Sequence, residues 1–263
     1  MKTEVKVINS KILGRNMNVS VYIPEDYESV SLPVLYFLHG RGGNENILKN
    51  FKMDKIANKL IKNNIINPFI IVCPYIANSR GINSSQTYEE VQGKYGIVHK
   101  GLFEDYFIKE IIPFIDSSYK TIKDKNSRYI GGISAGGYAA LHIGFNHQET
   151  FSKIGAHMPA IDLNYEDEDE CYFENKKMWL KYDPITITKN KKISDLKIFL
   201  DCGNEDEGKF YIACEKLYRI LKSKNVNVEN HIFKGHHNAE YIISNLEKYF
   251  RFYNSQKEEN NET

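Results

Sequence analysis

Residues 129–138 read Tyr129-Ile130-Gly131-Gly132-Ile133-Ser134-Ala135-Gly136-Gly137-Tyr138. The residues before the serine, Arg128-Tyr129-Ile130-Gly131, make a brief strand, and Gly136 to Asn146 carries Ala, Leu and Ile at helical spacing. Gly132-x-Ser134-x-Gly136 therefore sits at a tight strand-to-helix turn, the setting this pattern requires. On such a turn, side chains two residues to either side of the serine would strike neighbouring backbone, so glycine is needed at 132 and 136. The turn lifts the hydroxyl above the end of a sheet and onto a helix N-terminus, where amides and the helix dipole favour developing negative charge. Ser134 is the candidate nucleophile.

Working outward from this turn, apolar strands alternate with helical patterns along most of the chain. Thr3 to Ile8 and Met17 to Ile23 open as strands, the second closed by Pro24. Pro33-Val34-Leu35-Tyr36-Phe37-Leu38 and Phe69-Ile70-Ile71-Val72-Cys73 are continuous apolar runs, as strands buried on both faces should be. Phe151 to His157, Lys197 to Asp201 and Val226 to Phe233 complete the strand set. Helices are expected at 47–62, 102–119 (bent by Pro113), 136–146, 208–222 and 239–253. Such alternation predicts a mainly parallel sheet with helices on both faces. The economical organisation is one domain over 1–254 with an irregular insertion at about 161–192. The segment from Tyr75 to about Lys100 reads as a long polar loop, and the polar tail 255–263 as disordered.

Composition narrows the function classes. The chain has 263 residues, 41% hydrophobic, enough for one substantial core. Lys plus Arg number 35 against 34 Asp plus Glu, a net charge of +1, so no basic surface points to nucleic acid or an anionic membrane. Cys73, Cys171, Cys202 and Cys214 show no zinc-ligand spacing, and Cys73 and Cys202 flank apolar runs as buried thiols would. No stretch reaches the roughly 18–20 apolar residues of a membrane span, and the first residues lack a signal-peptide apolar block. A cytoplasmic setting is expected, with secretion left open for a chain whose export signal has been removed.

A serine hydroxyl needs a base, and the base an acid to orient it. Lys197–Asp201 is followed by Cys202-Gly203-Asn204-Glu205-Asp206-Glu207, and the strand ending at Phe233 by Lys234-Gly235-His236-His237-Asn238. Both segments leave the carboxyl ends of strands, where sites on parallel sheets open. Two amides would hold an oxyanion: that of Ala135, and one from the glycine-rich loop Leu38-His39-Gly40-Arg41-Gly42-Gly43, best placed at Arg41. No metal or cofactor is called for.

The stretches Leu35 to Asn46, Gly132 to Leu141, Tyr182-Asp183-Pro184, Asp201 to Asp206 and Gly235 to Asn238 resemble the esterase D, or "Putative esterase", family of α/β-hydrolases. That family includes tributyrin, feruloyl and acetyl-xylan esterases and S-formylglutathione hydrolase. The likeness spans about residues 20–250 and implies the α/β-hydrolase fold. It also implies Asp206 as the acid, three residues after Gly203, and His237 as the base. The expected activity is serine carboxylesterase action on a small-molecule or carbohydrate-linked ester of short-chain acyl, acetyl or feruloyl type. Ala135 and Ala239 depart from the family's frequent methionine and aromatic residue. The oxyanion loop and Tyr138 look more like the tributyrin or feruloyl branch.

Asp201 and His236 are the rival acid and base; if not the acid, Asp201 would bond the turn that follows it. Glu205 and Glu207 are expected as solvated neighbours and His39 as a backbone-bonded residue under the oxyanion loop. His142, His147 and His231 are expected to be structural, and His99 and His157 to reach the rim. The run Glu166 to Glu170 lacks calcium-loop spacing and is expected to be solvated. Trp179, Tyr75, Tyr88 and Tyr95 either line a pocket or pack the insertion. Thioester hydrolysis or acyl transfer at the same serine, and a catalytically silent binding module, are the rival functions.

Overall fold

The computed structural model describes residues 1–25 and 30–254, so the tail expected to be disordered, 255–263, lies outside the described residues. Antiparallel β1 (Lys2–Ser10) and β2 (Arg15–Ile23) open the chain. β3 (Val34–Leu38) and β4 (Ile70–Pro74) follow, and β5 (Glu89–Gly93) and β6 (Gly96–Lys100) form a separate hairpin. β7 (Arg128–Ile133), β8 (Lys153–His157), β9 (Lys197–Gly203) and β10 (Asn227–Phe233) complete the set. The main sheet runs β1-β2-β4-β3-β7-β8-β9-β10, antiparallel only at β1·β2 and β2·β4.

All five residues of β3 and of β4 are buried, because the sheet is covered on both sides. Val34, Tyr36, Leu38, Ile70 and Val72 face one core and Leu35, Phe37, Ile71 and Cys73 the other, the period-two alternation of a strand. The first core takes α3 (Phe103–Tyr106), α4 (Ile112–Ser118), α5 (Ala135–Asn146), α8 (Pro184–Asn190) and α9 (Tyr211–Ser223). The second takes α1 (Ile47–Asn50), α2 (Met53–Lys62) and α10 (Ala239–Asn254). Full burial of each aliphatic strand residue contributes roughly 1.5–3 kcal/mol, so the paired runs hold the sheet together. Among the described residues no helix is long and apolar enough to cross a membrane. Cys73, Cys202 and Cys214 are buried free thiols and Cys171 is partly exposed.

Four segments differ from the sequence reading. The helix expected at 47–62 breaks at Lys52, whose φ is 56°. The break lets each piece bury its own apolar residues, Ile47 and Leu48 in the first and Met53, Ala57 and Leu60 in the second. The helix at 102–119 contains a π-helical turn, Phe107–Ile111, ending two positions before Pro113, which has no N–H to give the carbonyl four residues back. The loop expected over 75–100 carries the β5–β6 hairpin; of its ten paired residues only Val98 is buried, so it shows no apolar alternation.

Finally, the irregular stretch 161–192 holds three short helices, α6 (Glu170–Phe173), α7 (Lys176–Tyr182) and α8. Asn175 caps α7 and Asp183, just before Pro184, caps α8. Tyr172, Phe173, Trp179 and Tyr182 turn into the core.

Candidate active site

Ser134 stands between β7 and α5 with φ 53° and ψ −119°, a conformation that costs energy and must be clamped. Its amide donates to the His157 carbonyl (2.9 Å), and its own carbonyl accepts from Tyr138 and Ala160 (3.0 Å each). A Cβ on Gly132 would lie 2.4 Å from the Gly136 carbonyl oxygen, and one on Gly136 would lie 2.3 Å from that of Leu38. Both glycines are therefore obligatory for the turn.

The loops after β9 and β10 leave adjacent parallel strands and are stitched together. Asn204 N–H donates to Phe233 O (2.8 Å), Glu205 N–H to Gly235 O (3.0 Å), and Gly235 N–H to Asn204 Oδ1 (3.0 Å). At the crossing, a Cβ on Gly203 would sit 2.1 Å from the Gly235 oxygen. The stitching brings Asp206 and His237 to Ser134. The His237 ring places Nδ1 2.8 Å from Asp206 Oδ2 and Nε2 2.9 Å from Ser134 Oγ.

A carboxylate can only accept, so the Nδ1 proton points to Asp206 and the Nε2 lone pair is left for the serine O–H. The buried Asp206 fills its other oxygen, Oδ1, with the Gly208 N–H at 2.8 Å. Phe210 lies against His237, ring centroids 5.3 Å apart.

The glycine-rich loop 38–43 is held from below. His39 Nδ1–H donates to Gly40 O (2.8 Å), while its Nε2 accepts from Ile76 N–H (3.1 Å). Burial depresses its pKa to about 4, so the ring is neutral and structural. A Cβ on Gly40 would come within 3.2 Å of Ser134 Cβ, which puts this loop against Ser134. Neither the Arg41 nor the Ala135 amide has a protein acceptor among the described residues.

Several readings of neighbouring residues are corrected. Asp201 does not bond the following turn. Its fully buried carboxylate accepts from His157 Nδ1 (2.6 Å), Tyr241 O–H (2.7 Å) and Tyr249 O–H (2.8 Å). Burial and the nearby carboxylate push both phenols well up, keeping them protonated donors. His157, expected at the rim, is buried in this network and takes Tyr253 O–H on Nε2 (3.0 Å).

His236 turns outward between Glu207 (2.9 Å) and Glu205 (3.0 Å). Glu207 also accepts the His237 amide (3.2 Å), so these glutamates are more than solvated neighbours. His142, His147 and His231 bond Arg80 O, Glu104 and Glu229 as structural residues. The acidic run is not wholly solvated either: Asp169 is buried beside Arg80 (3.5 Å) and Glu168 pairs with Lys94 (2.7 Å). No group of three or more His, Cys, Asp or Glu among the described residues is disposed to hold a metal.

A cleft of about 500 Å³ opens over Ser134 and His237, walled by Tyr95, Phe210, Arg80 and Asp162 among others. Tyr95 thus lines the pocket, while Trp179 is buried against Tyr165, Tyr88 lies by Phe103, and Tyr75 stacks on His39. Sequence reasoning missed Arg80, Asp162 and Phe210. Arg80 and Asp162 lie 82 residues apart and carry no local pattern.

Residues 10–253 match the model of a family described as "Putative esterase". Among solved structures the chain is similar to a ferulic acid esterase, at 20% identity and TM-score 0.80 over 96% of this chain and 97% of that one. It is likewise similar to a fluorophosphonate-binding serine hydrolase of Staphylococcus aureus, at 18% and 0.78 over 97% and 99%. An S-formylglutathione hydrolase from Agrobacterium tumefaciens matches at 16% and 0.78 over 95% and 94%. Likeness at these identities establishes the α/β-hydrolase fold, as expected. The family match, covering nearly the whole chain, makes it a member of that esterase family and a carboxylic-ester hydrolase.

Proposed function

We propose that this chain is a serine carboxylesterase acting on small or carbohydrate-linked carboxylic esters through Ser134, His237 and Asp206. The observation that supports this reading is the unbroken line from Asp206 Oδ2 through the His237 ring to Ser134 Oγ, at 2.8 and 2.9 Å. His237 Nε2 takes the Ser134 proton as Oγ bonds to the ester carbonyl carbon. The negative charge moves to the carbonyl oxygen, where the Arg41 and Ala135 amides receive it, each worth roughly 3–4 kcal/mol of barrier. The C–O bond to the alcohol breaks and His237 returns the proton to the departing oxygen. Water then gives a proton to His237 as it bonds to the acyl carbon; the bond from that carbon to Ser134 Oγ breaks, His237 returns the proton to Oγ, and the acid leaves. Asp206 stays ionised throughout and stabilises the imidazolium.

The test is turnover of 4-nitrophenyl acetate by the purified protein and its Ser134→Ala variant, with fluorophosphonate labelling alongside. Activity and label should both vanish in the variant while circular dichroism is unchanged. Retained hydrolysis contradicts the assignment.

A further inference from the structure

Two successive carboxylates grip the same histidine at different points. Asp206 Oδ2 faces the His237 ring at Nδ1 (2.8 Å), and Glu207 Oε2 accepts the His237 main-chain N–H (3.2 Å). Both come from one turn, closed by Lys209 N–H on Asp206 O (3.0 Å) and by Gly208 N–H on Asp206 Oδ1 (2.8 Å). Hydrogen bonds from its own amide and from that of His237 hold the Glu207 carboxyl below its usual range, so it acts as an ionised acceptor. Its other oxygen, Oε1, accepts from His236 Nδ1 (2.9 Å), and His236 Nε2 lies 3.0 Å from Glu205 Oε2. The exposed His236 ring therefore braces Glu207 and leaves Oε2 aimed at the amide.

The loop after β10 needs such a hold. Gly235 has φ 142°, and it is tied through its N–H to Asn204 Oδ1 and through its carbonyl to Glu205 N–H (3.0 Å each). The next fixed point is Asn238, whose Oδ1 accepts Tyr241 N–H (3.0 Å) at the start of α10. His237 lies between the glycine and this cap, and among the described residues its amide has no acceptor besides Glu207. A bond at Nδ1 alone lets the ring swing with its main chain. A second bond to the backbone removes that motion, and a general base must stay within hydrogen-bond reach of the proton it takes. We infer that Glu207, braced by His236, is a positioning residue that fixes the main chain of the proposed base while Asp206 fixes its ring. This rests on the serine carboxylesterase reading above. Glu207 also borders the cleft, so direct contact with substrate is the alternative to be separated.

The test measures kcat and KM for 4-nitrophenyl acetate and 4-nitrophenyl butyrate with wild type, Glu207→Ala and Glu207→Gln. Rates are expressed per active site labelled to completion by a fluorophosphonate, so any loss of folded protein cancels. Glu207→Ala should lose kcat about three- to tenfold, alike on both esters, with KM held within about twofold. An exposed charge-assisted hydrogen bond holds less firmly than a buried one, so the loss stays short of the roughly 100-fold of a 1 Å misplacement. Glu207→Gln should stay within about twofold of wild type. Its amide oxygen still accepts the His237 N–H, and its NH2 donates to His236 Nδ1 once that ring carries its proton on Nε2, towards Glu205. Wild-type kcat in Glu207→Ala, a loss that falls on KM or differs between the two esters, or a Glu207→Gln variant as impaired as Glu207→Ala overturns this inference alone. Absence of any ester turnover and of fluorophosphonate labelling in the wild type overturns the esterase reading and this one with it.

Discussion

Replacing Asp206 by Asn should cost about 10⁴-fold in kcat with little loss of fold, and the structure supplies the reason. Asp206 Oδ1 accepts the Gly208 N–H at 2.8 Å and Oδ2 faces His237 Nδ1 at 2.8 Å. In the variant the amide oxygen must stay on the Gly208 side, because an NH2 there would oppose an N–H donor. The amide NH2 then points at Nδ1 and can be satisfied only if Nδ1 gives up its proton. The imidazole is forced into the tautomer with hydrogen on Nε2, which faces Ser134 Oγ as a donor and has no lone pair for the serine proton. A wrong tautomer in an otherwise intact triad is worth about 10⁴-fold, or about 5.5 kcal/mol of barrier. The assay is single-turnover acylation by 4-nitrophenyl acetate, with thermal melting alongside. A loss below tenfold at unchanged melting temperature would refute the reasoning and leave Asp206 a loop residue.

The other predictions test the surroundings. Asp201→Asn removes a buried acceptor of three hydrogen bonds and should cost about 3 kcal/mol of stability, a fall of roughly 6–12 °C in Tm. The acylation rate per folded molecule, read from active-site titration, should fall far less than in Asp206→Asn; an equal fall would make Asp201 the acid. Gly136→Ala drives a Cβ to 2.3 Å from Leu38 O, so the turn must move by about 1 Å and carry the Ala135 amide with it. Such a misplacement is worth about 100-fold in rate, and near-wild-type kcat would show that the turn tolerates a side chain.

His39 provides a pH signature. Its folded pKa, about 4, lies below its usual 6.5, so between these values the unfolded chain binds the extra proton. The stabilisation is fully present above pH 6.5 and is lost as pH falls towards 4, about 3 kcal/mol in all. Urea unfolding of His39→Gln should show a flatter dependence across that window; an unchanged slope would mean that His39 does not titrate there.

The sheet and the strand-to-helix turn at Ser134 were legible because their constraints are local. A strand buried on both faces must be continuously apolar, as Val34–Leu38 and Ile70–Pro74 are, and no residue but glycine fits at 132 and 136. The β5–β6 hairpin was hidden because a surface ribbon needs no buried side besides Val98. The helices of 161–192 were hidden because each is a turn or two long and stands on its caps and inward aromatic residues rather than on periodicity. The cleft wall was hidden for another reason. Arg80 and Asp162 become meaningful only when the loops after β4 and β8 meet above the sheet.

The proposed assignment of acid and base shows where spacing alone runs out. Four carboxylates follow one another between Asp201 and Glu207, and the fold makes two Asp–His pairs from this stretch. The shorter one, His157–Asp201 at 2.6 Å, has Nε2 engaged by Tyr253 and is shut in the core. The longer one, His237–Asp206 at 2.8 Å, points Nε2 at Ser134. Tightness of the carboxylate contact therefore does not distinguish a proton relay from a structural clamp; the partner on the far nitrogen does. In this chain that choice is made by backbone. His157 lies within β8, and its side chain is committed to the packed face that holds α10. His237 lies two residues past Gly235, on a loop whose crossing with Gly203 carries the ring out over the end of the sheet. A residue larger than glycine at 203 should uncouple the two loops and silence the second pair while leaving the first untouched.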